Sequence, residues 1–304
     1  MHNLLSILPL NCQQILQILD TANKYYQNPK QYFEILANKT LINFFFENST
    51  RTRISFELAA KKMGAEVINI DISLSSLKKG ETIIDTAKTI AAMQPDFVAI
   101  RHNASGILQL LQPHINSCII NAGDGTNEHP SQALLDAFTI LQHKSTLKGL
   151  KIAICGDVLH SRVARSNIFL LSKFGCQISI ATPTTLLPFG YSDWLRNNWQ
   201  VQVFSNIAEA ITDSDVIIML RLQQERMSGC YISSLSEYFA LYGLNHQRLK
   251  LAPNAIVLHP GPINRQVEIA SELADDNQRS LILQQVEAGV AVRMAILQHL
   301  HYGL

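Results

Sequence analysis

The sequence has no CxxC pair among its five scattered cysteines, Cys12, Cys118, Cys155, Cys176 and Cys230. An odd, unpatterned set favours neither a disulfide framework nor a zinc site and reads as ordinary reduced thiols. Charge of one sign is also missing, since 25 Lys and Arg against 24 Asp and Glu give a formal charge of +1. A protein that neutralises many phosphates along a polymer carries a basic surplus. No nucleic-acid partner is therefore expected, and affinity for small anions must rest on a few focused arginines. No run reaches the ~20 apolar residues of a membrane-spanning helix. The apolar start MHNLLSILPLNCQQ lacks the charged flank and small-residue cleavage site of a secretory signal. The expectation is a cytoplasmic protein with no membrane contact. Low-complexity tracts, a Walker-type glycine loop and a complete G-x-G-x-x-G are likewise absent.

What is present is a globular composition, 47% hydrophobic and 16% charged over 304 residues, long enough for two domains. Apolar runs that read as buried strands alternate with helical patterns: LINFFF at 41–46, EVINI at 66–70, DFVAI at 96–100 and SCIIN at 117–121. A second series has KIAIC at 151–155, QISIA at 177–181, VQVF at 201–204, VIIML at 216–220 and AIVLH at 255–259. This predicts an α/β protein of two doubly wound domains, each with a mainly parallel sheet flanked by helices. The helical stretch 130–144 bridges them, and the boundary is set at 130/131, giving domains 1–130 and 131–284. The final helical pattern, 280–300, could pack on either domain.

In such sheets ligands bind beyond the carboxyl ends of the strands, and the reactive residue types cluster there. After LINFFF come Ser49, Thr50, Arg51 and Thr52 at a helix start, where unpaired N–H groups and the helix dipole favour an anion and hydroxyls and a guanidinium add donors. An ordinary capped helix with a solvated arginine is the plainer alternative. Arg101 ends the third run and could face the same cleft. After the fourth run, AGDGTNEHPSQ puts Pro130 at the first helical position, His129 at the cap and Gln132 in the first turn. A histidine at that positive end is favoured neutral, able to donate one hydrogen bond to a polarised carbonyl.

In the second half, Asp157 and Arg162 follow one strand, and Arg221, Gln223 and Arg226 follow another. Guanidinium groups from separate strands suit a dianion. HPGP, 259–262, is a stiff turn whose Pro260 and Gly261 carbonyls are free to accept from an amine. The polar loop SLSSLKKGETIIDT, 73–86, holds Ser75, Lys78 and Lys79, which by themselves read as solvated.

Taken in order, STRTR, SSLKKGET, RH, NAGDGTNEHPSQ, GDVLHSR, RLQQER and HPGPINR resemble the aspartate carbamoyltransferase catalytic-chain family from about residue 40 onward. The resemblance implies a carbamoyl-phosphate domain to which a final helix, 285–304, returns, and an aspartate domain. It implies Ser49, Thr50, Arg51, Thr52 and Arg101 around the phosphate, with His129 and Thr52 polarising the carbonyl. Gln132, Pro260, Gly261 and Pro262 hold the carbamoyl amine; Lys79, Arg162, Arg221 and Gln223 take L-aspartate. Glu47 and Arg226 resemble residues that stabilise a closed arrangement. A homotrimer is implied, with Lys79 and Ser75 donated to a neighbouring site, and a regulatory or dihydroorotase-like partner chain is possible. No cofactor or metal is implied. Gly261 departs from the larger residue common in the family, and His160 stands where some members have tyrosine.

Ornithine carbamoyltransferases share the first half but typically carry HCLP where this chain has HPGP and RLQ, which favours aspartate. A nucleotide-binding oxidoreductase is disfavoured because GDVLHS has a single glycine. A non-catalytic assembly chain is disfavoured by Arg51, Lys79, His129 and Arg162 being in place.

Overall fold

The computed structural model describes residues 3–71, Asp71 by its backbone alone, and 80–303. It divides into two compact units, one comprising the chain up to Phe138 and from Val286 onward, the other Thr139–Gln285.

In the first unit the order is α1 (Cys12–Tyr26), β1 (Thr40–Phe45), α2 (Thr50–Lys62), β2 (Glu66–Asp71), α3 (Ile83–Ala92), β3 (Phe97–His102), α4 (Ile107–Leu111) and β4 (Cys118–Asp124). The second contains β5 (Lys151–Cys155), α6 (Arg162–Lys173), β6 (Gln177–Ala181), α7 (Tyr191–Trp199), β7 (Gln202–Phe204), α8 (Ile207–Ile211), β8 (Val216–Met219), α9 (Leu235–Tyr242), α10 (His246–Leu249), β9 (Ile256–Leu258) and α11 (Ser271–Ala274). Two helices cross the division, α5 (Pro130–Lys144) and α12 (Ile282–Tyr302).

Every strand pair in both sheets is parallel, with orders β2-β1-β3-β4 and β7-β6-β5-β8-β9. Strands covered on both faces are predominantly apolar, which is why VIIML has no polar residue and LINFFF only Asn43, whose amide donates to Asn69 at 2.9 Å. Phe44, Val98, Ile100 and Ile119 form one core, and Ile211, Ile217, Met219 and Val257 another. Each such side chain contributes about 1.5–3 kcal/mol relative to exposure. The two-domain α/β expectation agrees with this architecture.

The division falls inside α5, not at its first residue, because the helix packs in both units. Phe138 lies edge-on to Tyr26 at 5.4 Å, whereas Lys144 donates to the Asn254 carbonyl at 2.7 Å. The last helix, which the residue pattern left open, joins the first unit: His299 bonds Thr21 at 3.0 Å and Gln298 accepts from the Tyr25 hydroxyl.

Candidate active site

Each sheet order reverses once, between β1 and β3 in the first and between β5 and β8 in the second. Loops leaving two strands in opposite directions open a crevice at such a switch point. Of the residues singled out in the sequence, Ser49 to Thr52 follow β1 and Arg101 lies at the end of β3 at the first point, and Arg162, Arg221 and Gln223 follow β5 and β8 at the second.

In the first unit, β1 runs into α2, whose first residues are Thr50, Arg51 and Thr52 behind an N-cap Ser49. The Ser49 side chain makes no capping bond. By contrast, Asn11, Thr82, Ser161, Asn206, Ser234 and Asn245 each cap their own helix. The start of α2 is thus not closed by its own cap. Thr52 is buried, Ser49 half-buried, and Thr50 and Arg51 exposed. Arg101 lies beside this turn, since β1 pairs with β3 at Phe45 and Arg101 and the Phe46 N–H donates to the Arg101 carbonyl at 2.8 Å. Its Nη1 donates to the Ala122 carbonyl at 3.3 Å, and its Nε stands 3.4 Å from Glu47. Next to it, burial lowers the pKa of His102, against the opposing pull of Glu47 and Asp124.

One strand further, β4 ends in a loop built around Asp124, which is fully buried. Its carboxylate accepts from Asn121 Nδ2 at 2.8 Å, Gly106 N–H at 2.8 Å, Asn127 Nδ2 at 3.0 Å and Glu128 N–H at 3.1 Å. Glu128 in turn accepts from the Ile7 N–H at 3.0 Å and from the Ser6 hydroxyl. That loop delivers His129, 4% exposed, to the head of α5, where its carbonyl accepts from the Gln132 N–H at 2.9 Å. Gln132 Nε2 donates to Asp136 at 2.8 Å.

In the second unit, β5 leads through Gly156 to Asp157, fully buried. A side chain at Gly156, φ +126°, would meet the Leu220 carbonyl at 2.7 Å, so only glycine lets β5 and β8 exit this closely. Asp157 accepts from the His160 N–H at 3.1 Å and the Gln223 N–H at 3.1 Å, with His160 Nδ1 2.9 Å away. The His160 carbonyl accepts from Gln223 Nε2 at 2.8 Å and Arg226 Nη1 at 3.3 Å. Arg162, at the first position of α6, is 4% exposed. Arg221 follows β8; burial lowers its pKa, opposed by Glu268, and it pairs with Glu225.

The loop after β9 is held at both ends by Glu268. His259 Nδ1 accepts from the Gly261 N–H at 2.8 Å, so its Nε2 is the protonated nitrogen and donates to Glu268 at 3.0 Å. Gly261 has φ +60° and its bond to Pro262 is cis, while Pro260 and Gly261 stay partly exposed and Pro262 exposed.

Ser49, Thr50, Arg51, Thr52, Arg101, His129 and Gln132 thus lie along the carboxyl edge of the first sheet, and Arg162, Arg221, Gln223, Pro260, Gly261 and Pro262 along that of the second. Ser75, Lys78 and Lys79 lie outside the described residues. Among the described residues no group of three or more His, Cys, Asp or Glu could hold a metal, and no helix is long and apolar enough to cross a membrane. Sequence reasoning gave no role to Asp124, which ties the loop ahead of His129, or to Asp136, which accepts from Gln132. Their only local signal is an acidic residue next to glycines or one turn past Gln132.

Residues 2–142 match the model of the aspartate/ornithine carbamoyltransferase carbamoyl-P binding domain, and residues 148–300 that of the Asp/Orn binding domain. The chain belongs to the aspartate/ornithine carbamoyltransferase family. The aspartate carbamoyltransferase catalytic subunit of Brucella ovis is 51% identical over 303 residues, 98% of this chain and 92% of that protein. Among solved members of the family, aspartate transcarbamoylase from Trypanosoma cruzi in complex with N-(phosphonacetyl)-L-aspartic acid superposes with a TM-score of 0.89 at 28% identity, covering 98% and 95% of the two chains. Ornithine carbamoyltransferase from Pyrococcus furiosus gives 0.86 at 27% identity, covering 97% and 96%. Solved structures named for aspartate and for ornithine thus superpose on this chain about equally well.

Proposed function

We infer that the chain transfers the carbamoyl group of carbamoyl phosphate to the α-amine of L-aspartate, giving N-carbamoyl-L-aspartate and phosphate, a step of pyrimidine (UMP) biosynthesis. Membership of the family and the name of the Brucella ovis relative support this reading. The structural observation that carries it is the start of α2, where Ser49 leaves its own helix uncapped beside the Arg101 strand end. Helix-start N–H groups, hydroxyls and a guanidinium together suit a phosphate dianion.

Ser49, Thr50, Arg51, Thr52 and Arg101 bind the phosphate in this reading. His129 and Thr52 donate to the carbamoyl oxygen and stabilise the oxyanion as the amine attacks. Gln132 and the Pro260 carbonyl accept from the carbamoyl amine, with Gly261 and Pro262 completing the turn. Arg162, Arg221, Gln223 and Lys79 take the two carboxylates of aspartate. The neutral amine forms the new C–N bond, phosphate departs with the C–O bond electrons, and that phosphate is itself a fitting acceptor for the amine proton. The working form in this reading is a cytoplasmic homotrimer in which Lys79 serves a neighbour's site, requiring no metal or organic cofactor.

Steady-state product analysis with carbamoyl phosphate and either L-aspartate or L-ornithine tests it. Carbamoyl-aspartate alone is the expected product. Turnover with ornithine alone would overturn the assignment of Arg221, Gln223 and the 259–262 turn, and no turnover with either would overturn the assignment as an enzyme.

A further inference from the structure

Gln132 is 7% exposed, and below it Asp136 is fully buried one helical turn further along α5. A carboxylate only accepts, so the amide turns its NH2 group toward Asp136, and Nε2 lies 2.8 Å from Oδ1. The amide oxygen is left for the other side. Beneath this pair comes Arg293 of α12, 3% exposed, its Nη1 donating to the Gly289 carbonyl at 2.9 Å and its guanidinium 5.1 Å from the Phe56 ring. Gly289 makes this approach possible: a Cβ there would stand 2.9 Å from Arg293 Nη1 and 3.6 Å from Leu135 of α5. Burial pushes the pKa of Arg293 down to about 10, and the Asp136 charge opposes that fall. A buried guanidinium and a buried carboxylate are each costly alone and retained when they answer each other.

We propose that Asp136 and Arg293 are positioning residues that fix the Gln132 amide with its oxygen toward the substrate, so that the site selects a carbamoyl group by its amine. The proposal rests on the reading above, in which Gln132 meets that group. The Arg293 charge answers that of Asp136; Asp136 holds the NH2 end of Gln132; the oxygen then accepts from a ligand NH2 and has nothing to accept from a methyl. Arg293 packs against Phe56 of α2 as well, so the same side chain braces the helix whose start carries Arg51.

Acetyl phosphate, which has a methyl where carbamoyl phosphate has an amine, reads this device directly. The affinities of both are measured on the unaltered protein and on Asp136→Asn, Arg293→Met and Arg293→Lys. Asp136→Asn and Arg293→Met should each weaken carbamoyl phosphate about tenfold, the size of one hydrogen bond, and leave acetyl phosphate within about twofold. Arg293→Lys, which keeps the charge, should retain most of the preference. Parallel weakening of both ligands would overturn the proposal, since mere structural support makes no distinction between NH2 and CH3. Should Asp136→Asn fail to fold, the double variant Asp136→Asn with Arg293→Gln strands no buried charge, and an intact preference there would overturn it equally. Gln132→Leu separates the two levels. If it keeps the preference, the placement of Gln132 against the carbamoyl group fails and the proposal falls with it; if it loses the preference while Asp136→Asn keeps it, only the role of Asp136 and Arg293 fails.

Discussion

At the carboxyl edge of the first sheet the polar groups are mixed: the start of α2 with its hydroxyls, the guanidinium groups of Arg51 and Arg101, and a loop tied to Asp124. At that of the second they are guanidinium groups on long stems, Arg162, Arg221 and Arg226, of which Arg226 donates to the His160 carbonyl and Arg221 pairs with Glu225. The contrast follows the ligands in the proposed function. A phosphate is compact and meets converging N–H groups well, whereas two carboxylates spaced along a carbon chain need separate forks that reach. Rigidity also differs in origin, since helix donors are fixed by the helix itself but a long arginine must be held by something buried.

The largest effect that would break this comparison is in binding. Arg51→Ala should lower kcat/KM for carbamoyl phosphate by about a hundred- to a thousandfold, as loss of one charged donor at a developing anion does. Arg162→Ala should raise the KM for aspartate about ten- to a hundredfold while leaving carbamoyl phosphate binding unchanged. Loss of carbamoyl phosphate binding in Arg162→Ala would end the division of labour between the two edges.

A smaller effect concerns the buried carboxylates. Asp124→Ala leaves Asn121, Asn127 and the N–H groups of Gly106 and Glu128 without their acceptor, and should cost about 3 kcal/mol in urea unfolding. Asp157→Ala strands fewer donors and should cost about 2 kcal/mol. Equal losses would show that the first edge is no more dependent on its carboxylate than the second. The smallest effect is at Gly261, where φ is +60°. Gly261→Ala should cost about 1 kcal/mol from left-handed strain alone, with aspartate kinetics nearly unchanged, because the turn works through carbonyls.

Much of this was legible in the residues, for a physical reason. A strand covered on both faces is mostly apolar, so KIAIC and QISIA mark β5 and β6 to the residue. Helix starts carry cap chemistry, so Ser49 and His129 announced α2 and α5. Whether Ser49 caps its helix or leaves it open was not legible, because the same hydroxyl serves both. The first helix was overlooked, though Asn11 with Gln14 forms a capping box ahead of buried Ile15, Ile18, Leu19 and Ala22. The dominant signal of that stretch was its apolar start. The unit to which α12 belongs, and the meeting of Asp136 with Arg293, depend on packing across more than half the chain, which no local pattern encodes.

The return of α12 also sets an order in time. The ribosome finishes residues 1–138 early, then makes the whole second unit, and only afterwards supplies Val286 onward. For all that interval the nascent first unit holds the Asp136 carboxylate without the arginine that answers it and lacks the helix that covers Tyr25 and Phe56. The first unit is thus completed only after the second has been made, and its carboxyl edge acquires the support of α12 at that point.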